Sequence, residues 1–195
     1  MKTMLRSALP TTGALSPAGQ IIRVVMGILL LTASAKVQVP FWPVPMTLQV
    51  AAVMAISAAF GMRLGSATVI GYMVAGAVGL PVFAGTPEKG IGLAYMMGGT
   101  GGYLLGFVVA AAIVGWVADN LRKLFLVPAM LAGLVAIYAL GLGWLAQFVP
   151  ADKVLVYGFS PFIVGDLVKI ALAAVIVIGL PTGLMQKIRG SQADA

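Results

Sequence analysis

The sequence predicts an all-α integral membrane protein with six transmembrane helices and both termini in the cytoplasm. Three observations carry that expectation. Hydrophobic residues make up 61% of the chain and charged ones only 9%, at a mean hydropathy of +1.08, whereas a soluble domain is about 25% charged. The apolar residues collect into six runs, each near the ~20 residues a helix needs to cross a bilayer. The links between runs carry unequal positive charge, and such asymmetry orients a membrane protein. The implied organisation is a cytoplasmic tail (1–20), a six-helix membrane domain (21–186) and a second cytoplasmic tail (187–195).

Composition also removes whole classes of chemistry. The chain has no cysteine and no histidine, which excludes disulfides, thiol catalysis, imidazole general bases and almost every transition-metal site. Of its five acidic residues, only Asp166 lies deep in an apolar run, a poor inventory for an enzyme built on paired carboxylates. The net charge of +7 comes from basic residues scattered singly between apolar runs, not clustered with aromatics. It reads as membrane orientation and not as a nucleic-acid surface.

Taken in order, the first apolar run covers about 21–39 and is read as span 1. Its Ala33-Ser34-Ala35 resembles a signal-peptidase site, but the preceding polar stretch is long and further spans follow. Pro40, Pro43 and Pro45 forbid regular helix next, so an extended, stiff loop with Trp42 at the interface is expected. That loop is either a connector or a lip over a binding site, with Thr47 and Gln49 offering polar groups near membrane level. Spans 2 (46–62) and 3 (64–80) are separated only by Gly61–Arg63 and must be antiparallel neighbours. In span 3, Ala67, Gly71, Ala75 and Gly79 form a ridge of small residues on which another helix can pack closely.

Residues 81–92 break the pattern and carry Glu88 and Lys89. Span 4 falls within 92–118 and opens on Met97-Gly98-Gly99-Thr100-Gly101-Gly102-Tyr103. This is no phosphate loop, since the lysine and hydroxyl of that motif are missing. Gly102, Gly106 and Ala110 make a second small-residue face, so the run reads as tight packing, as a helix entry with backbone groups offered to a ligand, or as both. Span 5 lies within 124–148. Span 6 is expected from an N-cap at Ser160 with Pro161 at the first helical position, reaching Leu180. Alternate links place Lys2, Arg6, Arg23, Arg63, Arg122, Lys123, Lys187 and Arg189 on one side and Lys36, Lys89 and Lys153 on the other. Eight against three puts the first group inside.

Span 6 holds the costliest feature of the chain, Gly165-Asp166-Leu167-Val168-Lys169. A lone ionised side chain in hydrocarbon costs about 2.5–3.5 kcal/mol on insertion scales. At i, i+3 the two side chains share a helix face, so they can pair with each other as a structural strut or serve a common ligand. With span 6 starting outside, Asp166 lies ~8 Å and Lys169 ~12 Å below its outer end. The proline-rich loop, the 81–92 link and the glycine-rich entry of span 4 converge on the same half, as around a pocket open to the exterior.

Four motifs together resemble the BioY family. They are Pro43-Val44-Pro45-Met46-Thr47-Leu48-Gln49, Gly79-Leu80-Pro81-Val82-Phe83-Ala84-Gly85, Gly99-Thr100-Gly101-Gly102-Tyr103-Leu104-Leu105-Gly106-Phe107 and Gly165-Asp166-Leu167-Val168-Lys169, covering roughly 20–185. Where members often show Gly-Pro-Thr-Gly-Gly-Tyr, this chain has Gly98-Gly99-Thr100-Gly101-Gly102-Tyr103. The family comprises biotin-specific substrate-binding S components of energy-coupling-factor (ECF) transporters. The resemblance therefore implies biotin capture at the outer face of a prokaryotic cell membrane. It also implies a membrane T component and two ATP-binding-cassette ATPases as partners that spend the ATP, and no resident cofactor or metal. The implied substrate-binding residues are Asp166, Lys169, Tyr103, Gly99, Thr100, Gly101, Gly102, Phe83, Gln49 and Trp42. Asp166 suits a ureido N–H and Lys169 a carboxylate or carbonyl. Phe83 and Trp42 would cover the apolar ring and chain. The chain itself has no ATP-binding motif and no evident two-fold repeat. A different class of function stays open, a solitary facilitator or proton-coupled carrier with Asp166 as the proton acceptor.

Overall fold

A computed structural model describes residues 16–39, 43–88 and 90–189. Helix α1 (Pro17–Lys36) starts earlier than the apolar run suggests, because Ser16 caps it. Its Oγ accepts the Gly19 N–H at 3.1 Å, and Pro17 takes the first position, where no N–H is needed. The extended loop after α1 contains a two-stranded antiparallel hairpin, β1 (Gln38–Val39) and β2 (Met46–Thr47), with Gln38 opposite Thr47. Residues 40–42, and with them Trp42, lie outside the described residues, as do Lys89 and most of the expected N-terminal tail.

The next helix, α2 (Gln49–Ala77), is 29 residues long but not straight. At Gly61 the backbone leaves helical geometry (φ 78°, ψ −179°), a conformation that glycine tolerates and L-residues resist. The two arms, 49–60 and 62–77, fold back on each other. A side chain on Gly65 would meet Ser57 Cα at 2.9 Å, and Gln49 Nε2 donates to the Tyr72 hydroxyl at 2.9 Å. Along a straight helix those pairs would stand ~12 Å and ~35 Å apart. The short Gly61–Arg63 link therefore makes antiparallel neighbours, as its length requires.

There follow α3 (Gly92–Met96), α4 (Gly101–Asn120), a 3₁₀ turn at Lys123–Phe125 and α5 (Leu126–Leu145). A second 3₁₀ turn (Ala151–Lys153) leads into α6 (Val154–Gly158), α7 (Ile163–Gly179) and α8 (Thr182–Arg189). The expected cap at Ser160 is corrected here. Ser160 Oγ turns back to donate to the Leu155 carbonyl, and α7 begins at Ile163 after a turn over 159–162. Among the described residues five helical stretches are long and apolar enough to cross a membrane: Pro17–Lys36, Gln49–Ala77, Gly101–Asn120, Lys123–Leu145 and Ala151–Gly179. The protein is a multi-pass membrane protein.

Helix α4 is the central element, flanked by α2 and α5. Its small-residue face is consumed inside the bundle. A side chain on Gly102 would collide with the Leu140 carbonyl and Trp144, and one on Gly106 would meet Ile137 Cα at 2.6 Å. Close backbone approach of this kind holds helices together where lipid supplies no hydrophobic driving force. In the second arm of α2, Gly71 likewise receives Ile28 of α1. The small-residue face of span 4 is thus an internal seam, whereas the ridge of span 3 is only partly so: Gly71 is packed, Ala67 stays exposed and nothing stands within 4 Å of a side chain placed on Gly79.

The two ends of the bundle differ. At one end Asp119 Oδ2 accepts the Met62 N–H at 2.8 Å beside the Gly61 turn. There Arg189 of α8 donates to the Ala58 and Ala118 carbonyls, satisfying acceptors that helix ends leave open. At the other end Lys36 Nζ gathers the Phe83 carbonyl (2.9 Å), the Thr86 carbonyl (3.2 Å) and Thr86 Oγ1 (2.9 Å). That ammonium fastens the loop after α2 to the end of α1 and frames the cavity described next.

Candidate substrate-binding site

A cavity opens at the hairpin end of the bundle, with about 550 Å³ of empty space when its mouth and the adjoining solvent are counted. Six parts of the chain supply its walls: the β2 strand and its approach, the start of α2, the 84 loop, the α3–α4 entry, mid-α5 and the start of α7. Apolar walls come mainly from Val44, Val50, Leu104, Phe107, Ile137 and Phe162. Polar groups form separate hydrogen-bonded clusters within it.

The first cluster is built on α7. Asp166 and Lys169 are only 5% and 9% exposed, and Lys169 Nζ donates to Asp166 Oδ1 at 2.7 Å. The Tyr138 hydroxyl of α5 donates to Asp166 Oδ2, also at 2.7 Å, and the Tyr138 and Phe159 rings meet edge to face with their centroids 4.9 Å apart. Asp166 is the only hydrogen-bond partner of Lys169 among the described residues, so two ammonium protons remain for a ligand. Each carboxylate oxygen likewise keeps an unused lone pair. A pair buried this deeply contributes little net stability by itself, whereas as a prepared donor–acceptor set it is suited to a polar ligand.

The second cluster hangs on α2. Thr47 Oγ1 donates to Gln49 Oε1 at 3.1 Å, Gln49 Nε2 donates to Tyr72, and Tyr72 donates to the Val82 carbonyl at 3.1 Å. This relay ties β2, both arms of α2 and the following loop together, and it aims the Gln49 amide into the cavity. Beside it stand Tyr95 and Thr100, whose side chains are hydrogen-bonded. Burial pushes the Tyr95 phenol above its usual range, against the opposing effect of that bond.

Of the residues expected from sequence, Asp166, Lys169, Tyr103, Thr100 and Gln49 all line this one cavity. Tyr103 lines it with its ring while its hydroxyl donates to the Gly158 carbonyl at 2.8 Å. Gly99 lines a neighbouring shallow pocket with Pro43 and Pro45. Gly101 and Gly102 face away: side chains there would strike the Met96 carbonyl, Trp144 and Leu140. Phe83 also points elsewhere. Its ring fills the slot left by Gly76, stacks on Tyr95 at 4.8 Å and meets Tyr72 edge-on at 5.3 Å, while its neighbour Ala84 lines the cavity. Tyr138 and Tyr95 escape a sequence reading because a tyrosine in an apolar run normally signals core or interface. The available clue is that a phenol in such a run needs a partner, and Asp166 is the one acidic side chain at that depth. A Tyr138→Phe variant should fold but weaken ligand binding about tenfold, the worth of one hydrogen bond to a charged group. Equilibrium binding with purified variant checks this.

A family model described as "BioY family" matches residues 4–185. "Probable biotin transporter BioY" of Pyrococcus horikoshii is 38% identical over 159 residues, covering 82% of this chain and 94% of that protein. "Biotin transporter BioY" of Thermotoga maritima is 37% identical over 163 residues, covering 83% and 95%. Among solved structures, the S component for biotin from an ECF-type ABC transporter superposes with a TM-score of 0.70 at 22% identity, over 84% of this chain and 93% of that one. The last likeness establishes a shared fold.

Proposed function

The chain belongs to the BioY family, and from that premise we propose that it captures biotin as the substrate-specific subunit of an ECF-type importer. The single observation that carries this reading is the buried Asp166–Lys169–Tyr138 set inside an otherwise apolar cavity. Biotin has the matching character: a ureido ring with two N–H donors and a carbonyl, an apolar ring and chain, and a carboxylate. Asp166 accepts a ureido N–H or Lys169 receives a carbonyl or carboxylate oxygen, with Gln49 and Thr100 serving the other polar end. Val50, Phe107 and Phe162 cover the apolar middle.

Six spans follow when α2 is counted as two arms joined at Gly61, and the eight-to-three division of basic residues sets both termini inside. The cavity then faces outward in a prokaryotic cytoplasmic membrane. Energy would come from a T component and two ATPases, since no Gly-x-x-x-x-Gly-Lys-Ser/Thr occurs in this chain. Equilibrium binding of labelled biotin by the purified protein, with unlabelled biotin and biotin amide as competitors, tests the reading. Biotin should displace label fully, and a loss of potency for the amide would assign a cation to the carboxylate. Absence of saturable binding overturns the reading. Uptake by the chain alone in proteoliposomes without ATP, abolished by collapsing the pH gradient, would replace the importer with a proton-coupled carrier.

A further inference from the structure

Between α5 and α7, from the level of Leu167 toward the end of the bundle opposite the cavity, runs a lateral groove lined by apolar side chains alone, with about 860 Å³ of empty space when its open side is counted. Leu167, Ala171, Ala174, Val175 and Ile178 line it from α7, at the i, i+4, i+7, i+8 and i+11 spacing of one helix face. Val127 and Leu131 face them from α5. The groove runs down to a second cavity, of about 690 Å³, whose lining includes Arg122, Lys123 and Arg189 beside Leu126 and Met185. Lys123 is the junction. It lines the basic cavity while its Nζ donates to the Ile178 carbonyl (3.4 Å) and the Leu180 carbonyl (3.0 Å) at the foot of the groove. Arg122 is exposed, and its guanidinium has no hydrogen-bond partner among the described residues. Arg189 Nε is buried there without a partner, although its two terminal nitrogens are engaged.

We propose that this apolar groove and the basic cavity at its foot form one binding site for an anionic phospholipid. One acyl chain lies between α5 and α7, and the headgroup phosphate rests on Arg122 and Lys123. Charge complementarity selects this occupant. A neutral lipid leaves the Arg122 guanidinium and the spare Lys123 proton unanswered, Arg189 being held by the Asp119 carboxylate at 3.9 Å and by two carbonyls, and an apolar partner helix fills the groove but not the basic cavity. Basic pockets between membrane helices recognise anionic headgroups in this way. The phosphate meets a free guanidinium from Arg122 and the spare proton of Lys123, while the apolar walls exclude water from the first methylenes.

The test uses the full-length protein in nanodiscs or detergent. Native mass spectrometry reads lipid retained from phosphatidylglycerol against phosphatidylcholine of the same chain length. Phosphatidylglycerol should be retained over phosphatidylcholine by tenfold or more. At about fivefold per cation near the headgroup, Arg122→Gln should lower retention about fivefold and Arg122→Gln with Lys123→Gln about 25-fold. Ala171→Trp, at an exposed groove position, should displace the chain and lower retention with all cations intact. Equal retention of the two lipids overturns the proposal. So does full competition by glycerol phosphate that Ala171→Trp leaves unchanged, which would reveal a free-phosphate site, and so does a dimer mass that Ala171→Trp abolishes, which would make the groove a seat for a second copy. Because Lys123 also caps the end of α7, the Arg122→Gln and Ala171→Trp arms decide if the double variant fails to fold.

Discussion

A Lys169→Met variant is expected to lose biotin affinity by about 10- to 150-fold, the span of one hydrogen bond to a charged group. It should lose stability as well. Among the described residues Lys169 is the only cation bonded to Asp166, in a site where both are buried, and removing one partner of a buried pair costs about 3–5 kcal/mol because the other charge is left uncompensated. Loss of binding by this variant alone would therefore not distinguish a ligand contact from a strut. The double variant Asp166→Asn with Lys169→Met does so, since replacing both charges is often near neutral for stability. If the pair serves the ligand, the double variant regains thermal stability and still fails to bind. If the pair is a strut, stability and binding return together. Thermal unfolding and equilibrium biotin binding, measured on the same preparations, separate the outcomes.

The logic of the pair was legible from sequence because its cost is a one-residue property. An acid and a base in a run of Val, Ile and Ala need an explanation whatever surrounds them. The apolar runs and the Gly61–Arg63 link were legible for the same reason, since hydropathy and link length are local. What decides whether a residue faces the cavity is not local. Gly101 and Gly102 read equally well as ligand-facing backbone or as a packing face until Trp144 and Leu140 are seen against them. Phe83 reads as a cover for an apolar ligand, but the missing side chain of Gly76, seven residues away on another element, gives its ring a slot in the core. Tyr138 joins Asp166 across 28 positions of sequence, a pairing that no periodicity announces. The start of α7 was displaced to Ile163 by a competing bond, as Ser160 spends its hydroxyl on Leu155 instead of capping the helix.

Gly61→Ala should be the most damaging single-methyl change in the chain, through two independent terms. At φ 78° and ψ −179° the backbone lies in a region open essentially to glycine alone, where an L-residue costs roughly 1–3 kcal/mol. The new Cβ would also stand on the Asp119 carboxylate, whose Oδ2 accepts the Met62 N–H at 2.8 Å. Displacing the carboxylate forfeits a charge-assisted bond of about 1.5–3 kcal/mol, so the two terms together come to about 2.5–6 kcal/mol. Asp119→Ala alone should cost only the bond. In Gly61→Ala with Asp119→Ala the collision is absent, so the double variant should be clearly more stable than the sum of the two single losses, as coupled neighbours require. Additive losses would mean that backbone strain alone drives the effect and that Asp119 does not brace the turn. The readout that matters for function is biotin binding after refolding of the hairpin end is excluded by thermal melts. The two arms of α2 carry Gln49 and Tyr72 to opposite ends of one hydrogen bond beside the cavity, so loosening the turn at Gly61 should weaken binding from the far end of the bundle.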